Sequence, residues 1–162
     1  MNDFRIAAAR PTDVPAVLAM IRGLAKFERL EHLCVATEGQ LSQALFGRGA
    51  TVEVIVAWEG GEPAGFALFF PNFSTFLGLP GLYLEDLFVR PEFRGRGYGR
   101  ALLIHLARLA VERGCGSPTG FSQAYMQCTP VAVYRRSLGQ AAALHSVHKA
   151  SERSLFHAET PR

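Results

Sequence analysis

The sequence predicts an α/β protein, more narrowly α+β, with a mixed, mostly antiparallel sheet and helices on both faces. β-branched and aromatic runs alternate with amphipathic stretches in the order β-α-α-β-β-β-α-β-α-β. Residues 52–58 and 64–70 flank the turn signal Glu-Gly-Gly-Glu, which is typical of an antiparallel hairpin. The chain has 162 residues, of which 49% are apolar, and this suffices for one core. We therefore predict a single domain over residues 1–162.

The first part of the chain predicts a strand and two helices ahead of that hairpin. Residues 4–9 form a short apolar run suited to a strand, and Thr12 or Asp13 follows as a helix cap. Apolar side chains recur at helical spacing over residues 14–28, which predicts a first helix. The capping-box sequence at residues 37–40 predicts a short second helix.

The second part predicts a loop, a strand and a third helix before the pattern weakens. Residues 73–81 predict a loop, and residues 82–89 predict a strand that is interrupted by Glu85-Asp86. Residues 101–113 place leucines on one face, which predicts an amphipathic helix packed on the sheet. Beyond residue 114, weaker patterns predict a strand, a helix and a last strand, at residues 121–128, 129–138 and 142–149.

Charge, cysteines and hydropathy argue against several classes of protein. The formal net charge of +3 is mild, and the basic residues are dispersed except at Arg90, Arg94, Arg96 and Arg100, so no nucleic-acid partner is predicted. The three cysteines and five histidines have no disulfide-framework or metal-ligand spacing, so no metal is predicted. The first residues lack the basic segment followed by an apolar one that is typical of a secretory leader, and no apolar run approaches the ~18 residues of a membrane span. We expect a soluble cytoplasmic protein without a membrane partner.

A glycine- and arginine-rich loop is the strongest candidate for a ligand site. Residues 94–100 read Arg-Gly-Arg-Gly-Tyr-Gly-Arg, between the strand of residues 82–89 and the helix of residues 101–113. Glycine takes positive φ at no steric cost, so consecutive N–H groups can converge on phosphate oxygens. The helix adds its unsatisfied N–H groups and the positive end of its dipole. The pattern predicts an anion site, and the alternative is an arginine-decorated surface turn.

The spacing of the glycines shows which known phosphate-binding motif the loop matches. A dinucleotide fingerprint fails because Arg100 stands where its spacing requires glycine. A P-loop fails because Arg100-Ala101 supplies neither the lysine nor the magnesium-binding hydroxyl. The pattern R/Q-x-x-G-x-G/A is satisfied by Arg94, Gly97 and Gly99. This pattern resembles the acetyl-CoA loop of the GNAT N-acetyltransferases.

The resemblance extends over residues 4–116 and narrows to one branch of that superfamily. Five stretches look like the diamine (spermidine/spermine) N-acetyltransferases, namely residues 10–13, 24–28, 65–67, 82–89 and 94–99. The resemblance implies the GNAT acyl-CoA N-acyltransferase fold, acetyl-CoA as cosubstrate, a small amine as substrate and a homodimer. It implies that backbone groups of Leu87, Phe88 and Val89 meet the pantetheine arm and thioester. It also implies that the pyrophosphate is cradled by Arg94, Gly95, Arg96, Gly97, Tyr98, Gly99 and Arg100.

Acetyl transfer to an amine makes two demands on this strand. Negative charge develops on the thioester oxygen, so a backbone N–H near Phe88 or Val89 would stabilise the tetrahedral intermediate. The amine must lose a proton before attack, so a carboxylate acting directly or through water is useful. Glu85 is the best candidate, and it matches a substrate-contacting glutamate of the family. The alternative is that Glu85 or Asp86 faces solvent or pairs with an arginine.

The end of the first helix and the C-terminal region supply the remaining candidates. Lys26, Phe27 and Glu28 correspond to the family's polyamine-contacting segment, and the alternative is an ordinary solvated helix end.

The family's Trp-Asn pair is absent after residue 116, and the general acid that protonates the CoA thiolate falls on Tyr134 or Arg135, depending on alignment. Tyr134 is our candidate, with a packed aromatic as the alternative. A diverged or frame-altered C-terminal region leaves a non-catalytic acyl-CoA-binding module as the alternative to an amine N-acetyltransferase.

Overall fold

The computed structural model describes residues 3–75 and 78–115. All of them belong to the unit Met1–Thr129. The elements are β1 (Phe4–Ala8), α1 (Val14–Glu28), α2 (Glu38–Phe46), β2 (Glu53–Glu59), β3 (Glu62–Ser74), β4 (Leu79–Val89) and α3 (Tyr98–Glu112). One-turn 3₁₀ helices occupy Pro11–Asp13, Glu31–Leu33 and Pro91–Phe93. The elements predicted at residues 121–128, 129–138 and 142–149 lie outside the described residues, and the single domain over residues 1–162 stays a prediction.

The described strands form one sheet in the order β1-β2-β3-β4, and every neighbouring pair is antiparallel. The predicted hairpin is confirmed, since Glu59 pairs with Glu62 across its turn and Glu53 pairs with Phe69 at its far end. The parallel pairing implied by a mixed sheet would involve the strands predicted after residue 116, outside the described part of the chain.

Apolar side chains cover both faces of the sheet, which confirms the predicted layers. On one face α1 and α2 pack against alternate residues of β2 to β4, including Phe66 and Phe88. On the opposite face α3 buries Leu102 and Leu106 against residues such as Phe69. Because successive strand residues point to opposite faces, β2, β3 and β4 each contribute to both cores.

A β-bulge in β4 changes which face its residues point to. Leu82 and Leu84 belong to the core under α3, but the register with β3 shifts so that Leu68 pairs with Asp86 and Phe69 with Leu84. Glu85 is therefore the extra, unpaired residue. Strict alternation would have put Asp86 on the α3 face with Leu84, and the bulge moves it to the α1 face with Leu68.

The prediction of a loop at residues 73–81 was wrong at both ends. β3 continues to Ser74 and β4 begins at Leu79, and the two strands remain paired out to Ser74 and Leu79. A ring contact between Phe70 and Tyr83, with centroids 4.9 Å apart, supports this extension beyond the core. Prolines and glycines in this stretch suggested a loop, but tertiary pairing overrides such local signals.

The helix caps follow the sequence in one case and depart from it in the other. The capping box of α2 is confirmed, because the Gln40 N–H donates to Thr37 Oγ1 at 3.3 Å and the Thr37 N–H donates to Gln40 Oε1 at 3.0 Å. Asp13 does not cap α1 through its side chain. Its buried carboxylate instead accepts from the Arg10 N–H at 2.8 Å, which closes the turn before the helix. None of the helices in the described ranges is long and apolar enough to cross a membrane.

Candidate functional site

The glycine loop connects the end of β4 directly to the start of α3. After the one-turn helix Pro91–Phe93, Gly95 and Gly97 take φ values of 79° and 83°. Gly97 is the N-cap of α3, and its carbonyl accepts the first helical hydrogen bond from the Ala101 N–H at 3.0 Å. The left-handed conformation at both glycines turns the chain so that the helix begins beside the end of β4. Side chains other than glycine would strain this turn.

The space around the loop suits an anionic group. A Cβ at Gly95 or Gly97 would meet no atom within 4 Å, so their outer sides are open to a ligand. Gly99 is different, because a Cβ there would touch the side chains of Leu87 and Val89 at 3.7 Å. The first N–H groups of α3 have no partner within the helix, and their dipole favours negative charge. The arrangement can hold a phosphate oxygen between the open glycines and the helix N-terminus.

The four arginines of the region do not all face this space. Arg90 donates to the Pro63 carbonyl at 3.0 Å and pairs with Glu92 at 2.5 Å. Arg96 pairs with Glu59 at 2.6 Å. Arg100 is exposed and has no ion pair or hydrogen bond with the described residues. The arginine cluster is thus partly neutralised by glutamates, with Arg94 and Arg100 left without a carboxylate partner among the residues described.

Arg94 connects the glycine loop to the end of α1. Its Nε donates to the Val89 carbonyl at 3.0 Å. Its guanidinium lies 4.6 Å from the ring centroid of Phe27 and 5.6 Å from that of Phe88. Cation–π contacts of this length are attractive. The predicted acceptor segment at Lys26-Phe27-Glu28 therefore lies against the predicted cofactor loop, although Phe27 is 48% exposed and Lys26 is exposed.

Three carboxylates, those of Asp86, Glu85 and Glu28, lie close enough to affect one another through their charges. Asp86 is half-buried, and burial raises its pKa to about 6, with smaller contributions from the negative charges of Glu85 and Glu28. Glu85, at the bulge, is exposed. None of the three forms an ion pair with another described side chain. The cluster therefore attracts cations, and Asp86 is the carboxylate best suited to exchange a proton near neutral pH.

The structure brings together most of the residues singled out from the sequence. Arg94 contacts Phe27, Phe88 and the Val89 carbonyl, while Leu87 and Val89 lie against Gly99. Tyr134 lies outside the described residues. The role assigned to Glu85 stays a prediction, and sequence reasoning gave no chemical role to Asp86. The pair Glu85-Asp86 in an apolar strand was the sequence signal for a functional carboxylate. The bulge that gives these two residues different environments cannot be recognised from the sequence.

An antiparallel sheet with helices on both faces, and a strand leading through a glycine loop into a helix, together define an acyltransferase of the GNAT fold. The sequence model of the acetyltransferase (GNAT) family matches residues 24–139, so the chain belongs to this family. It is an amine N-acetyltransferase, and enzymes of this family use acetyl-CoA. The described residues contain no group of three or more His, Cys, Asp or Glu side chains arranged to hold a metal ion.

Two curated relatives and one solved structure illustrate the likeness. L-ornithine N5-acetyltransferase NATA1 of Arabidopsis thaliana is 33% identical, in an alignment that covers 69% of this chain and 69% of that protein. Thialysine N-epsilon-acetyltransferase of Caenorhabditis elegans is 36% identical over 114 residues, which cover 70% of this chain and 69% of that protein. An aminoglycoside acetyltransferase from an uncultured soil metagenomic sample has a TM-score of 0.60 at 19% identity, covering 69% of this chain and 72% of that one. That structure supports the fold alone.

Alanine substitutions at Gly97 and Gly99 should differ in their effects. Gly97→Ala forces a left-handed conformation on an L residue, so we expect a loss of roughly 1–2 kcal/mol in unfolding free energy. We also expect weaker acetyl-CoA binding, because the strained turn displaces the loop N–H groups. Gly99→Ala should be tolerated, since Gly99 lies in α3 and its Cβ would make only ordinary contacts at 3.7 Å. Chemical denaturation and calorimetric titration with acetyl-CoA measure both effects, and equal behaviour of the two variants would contradict the assigned geometry.

Proposed function

We propose that the enzyme transfers acetyl from acetyl-CoA to a terminal primary amine of a small, flexible compound with more than one cationic group, with diamines and polyamines as leading substrates. The observation that carries this proposal is the cluster of Asp86, Glu85 and Glu28, which forms no ion pair with the described side chains. Glu28 follows Phe27, which contacts Arg94 of the glycine loop. One carboxylate can accept the proton of the attacking ammonium while the others hold a second cationic group.

The cofactor assignment follows from the loop. We propose that the open glycines, the first N–H groups of α3 and Arg94 hold the pyrophosphate of acetyl-CoA. Arg96, Tyr98 and Arg100 complete the predicted set, and the pairing of Arg96 with Glu59 makes the role of Arg96 mainly structural. Bound acetyl-CoA supplies an activated acyl group on a thioester. The backbone of Leu87, Phe88 and Val89 lies where the strand meets the loop, which supports their predicted contact with the pantetheine arm.

The chemistry at the carboxylates follows from their surroundings. An alkylammonium group has a pKa near 10, so the attacking nitrogen must release a proton before it attacks the thioester carbon. Asp86, with its pKa raised to about 6, is the better acceptor of that proton, and the more exposed Glu85 holds the cation. As the C–S bond breaks, the thiolate needs a proton, and Tyr134 is the proposed donor.

The acceptor segment supports a substrate with an apolar chain between its charges. Phe27 offers an exposed ring next to Glu28, so methylenes can pack on the ring while an ammonium group meets the carboxylate. Two relatives are named for ornithine and thialysine, which are small and carry a terminal primary amine. That naming supports the same class of acceptor here. We also propose, by family analogy, a cytoplasmic homodimer, which light scattering of the purified protein tests for its oligomeric state.

A matched panel of amines tests the proposed substrate class. Thiol release from acetyl-CoA is measured with 1,4-diaminobutane, spermidine, ornithine and thialysine, and with 1-aminobutane as the control that lacks a second charge. We expect kcat/KM for the diamine to exceed that for 1-aminobutane by at least about tenfold, since a paired charge is worth on the order of 1.4 kcal/mol or more. Equal values would contradict the role of the carboxylates. Acetyl-CoA binding without turnover of any amine would favour the non-catalytic acyl-CoA-binding module.

A further inference from the structure

The β2–β3 turn carries two carboxylates, one of which contacts the glycine loop. From the sequence, residues 59–62 are predicted to form a hairpin turn and nothing more. In the structure, Glu59 accepts a hydrogen bond from Arg96 Nη1 at 2.6 Å, and its side chain is only 13% exposed. Glu62 lies 4.0 Å from Arg90 and is much more exposed. The end of the hairpin is therefore joined to the glycine loop by one short ion pair, and to Arg90, just before the loop, by one loose pair.

The hydroxyl of Tyr98 also lies close to the Glu59 carboxylate. Burial raises the pKa of Tyr98, and the hydrogen bond to Glu59 raises it further, so the phenol stays a proton donor at physiological pH. The Tyr98 ring is stacked on Phe4 of β1, with centroids 4.4 Å apart. The Arg96 guanidinium lies 5.4 Å from the Phe93 ring. Both partners of Glu59 are thus held in place by aromatic contacts as well.

The two partners stand on either side of Gly97. Residues 96 and 98 contact the same carboxylate, so rotation of the peptide groups between them is restrained. Gly97 is the residue whose φ of 83° starts α3 and directs its first N–H groups. We infer that Glu59 is a positioning residue for cofactor binding, which fixes the glycine loop in the conformation that receives the pyrophosphate of acetyl-CoA. This inference rests on the proposed acetyl-CoA site.

The test compares acetyl-CoA with S-acetylpantetheine, which lacks the pyrophosphate. In Glu59→Gln, the charge that orders Arg96 is lost while the side-chain size is kept. We expect the KM for acetyl-CoA to rise about tenfold, as for the loss of a charge-assisted hydrogen bond. The KM for S-acetylpantetheine and for the amine should stay within about twofold of wild type, which is the scatter expected when no contact is lost. A merely structural defect would raise all three. Tyr98→Phe, which removes one donor but keeps the ring stack, should shift the acetyl-CoA KM in the same direction by less.

Two control variants remove carboxylates whose arginine partners lie outside the glycine loop. Glu53 pairs with Arg113 at 2.5 Å at the other end of β2, and Glu62 is the exposed acid of the same turn. Glu53→Gln and Glu62→Gln should leave the KM for acetyl-CoA unchanged, while Glu53→Gln lowers thermal stability comparably to Glu59→Gln. An unchanged acetyl-CoA KM in Glu59→Gln overturns the inference and leaves the proposed function standing. A wild-type protein that does not bind acetyl-CoA at all overturns both.

Discussion

Replacing Asp86 with asparagine should lower kcat/KM for the amine by about 10²-fold, the usual loss when a general base is removed. Asparagine has nearly the same shape as aspartate, so the effect reports the lost charge and proton acceptor. The carboxylate lies on the α1 face near Glu28 and Glu85, where an incoming ammonium group would be held. Initial rates with acetyl-CoA saturating and the amine varied measure the effect. Glu85→Gln should cost less, since Glu85 is exposed.

The same substitution should stabilise the protein above pH 6. The pKa of Asp86 is raised from 3.8 to about 6 by burial and by neighbouring negative charges. Between these values the folded state binds more protons than the unfolded state, so this group's contribution to stability falls as the pH rises through that window. Above it, the ionised Asp86 costs about 1–2 kcal/mol, allowing for partial solvent screening. Asp86→Asn removes this cost at pH 7 but gains nothing at pH 3.5, and melting curves at the two pH values test the difference.

The pH dependence of activity gives a second test of Asp86. The ratio of wild-type to Asp86→Asn kcat/KM should rise with pH and level off above about 6, where Asp86 is ionised. Taking the ratio cancels the ionisation of the amine itself. A ratio that does not change between pH 5 and 8 would show that another group is the proton acceptor.

Replacing Gly65 with alanine should impair both folding and cofactor binding. Gly65 is paired with Val89, and a Cβ there would lie 2.6 Å from the Phe88 carbonyl oxygen and 3.2 Å from the Val89 Cα. Both neighbours are backbone atoms, so β3 and β4 must separate where the strand meets the loop. We expect a loss of about 2–3 kcal/mol in unfolding free energy, as for an overpacked core. Chemical denaturation measures this loss, and steady-state kinetics should show a higher KM for acetyl-CoA.

Gly39 provides the matched control for Gly65. It lies in α2, has no atom within 4 Å of its Cβ position and does not need positive φ. Gly39→Ala should therefore be neutral or stabilising by up to about 1 kcal/mol, since alanine favours helix. If Gly65→Ala proved as harmless as Gly39→Ala, the close approach of β3 and β4 at this point would be refuted.

The sequence predicts the helices and the hairpin well because their signals are local. Periodic apolar residues locate α1 and α3, and the capping box at Thr37 and Gln40 marks the start of α2. The extended β3–β4 pairing at residues 73–81 was missed, since it depends on contacts between strands rather than on local propensity. α3 begins at Tyr98 rather than at residue 101, because Gly97 supplies the N-cap.

The candidate site likewise has features that local sequence predicts and features that depend on contacts between distant residues. The loop spacing predicts an anion site, and together with four other stretches of the sequence it indicates the family. The pairing of Arg96 with Glu59 joins residues far apart in the chain, so the apparent cluster of free arginines could not be corrected from sequence. The environment of Asp86 depends on a one-residue register shift, and no pattern of letters shows that shift.

Ion pairs at both ends of β2 also give the enzyme a mechanical property. Glu59 pairs with Arg96 just before α3, and Glu53 pairs with Arg113 just after it. β2 has 7 residues and spans about 20 Å as a strand. α3 has 15 residues and spans about 22 Å as a helix. β2 and α3 thus have similar lengths, and an ion pair connects them at each end. An inserted or deleted residue in α3 would change its length by about 1.5 Å and turn one tie away from its partner by about 100°.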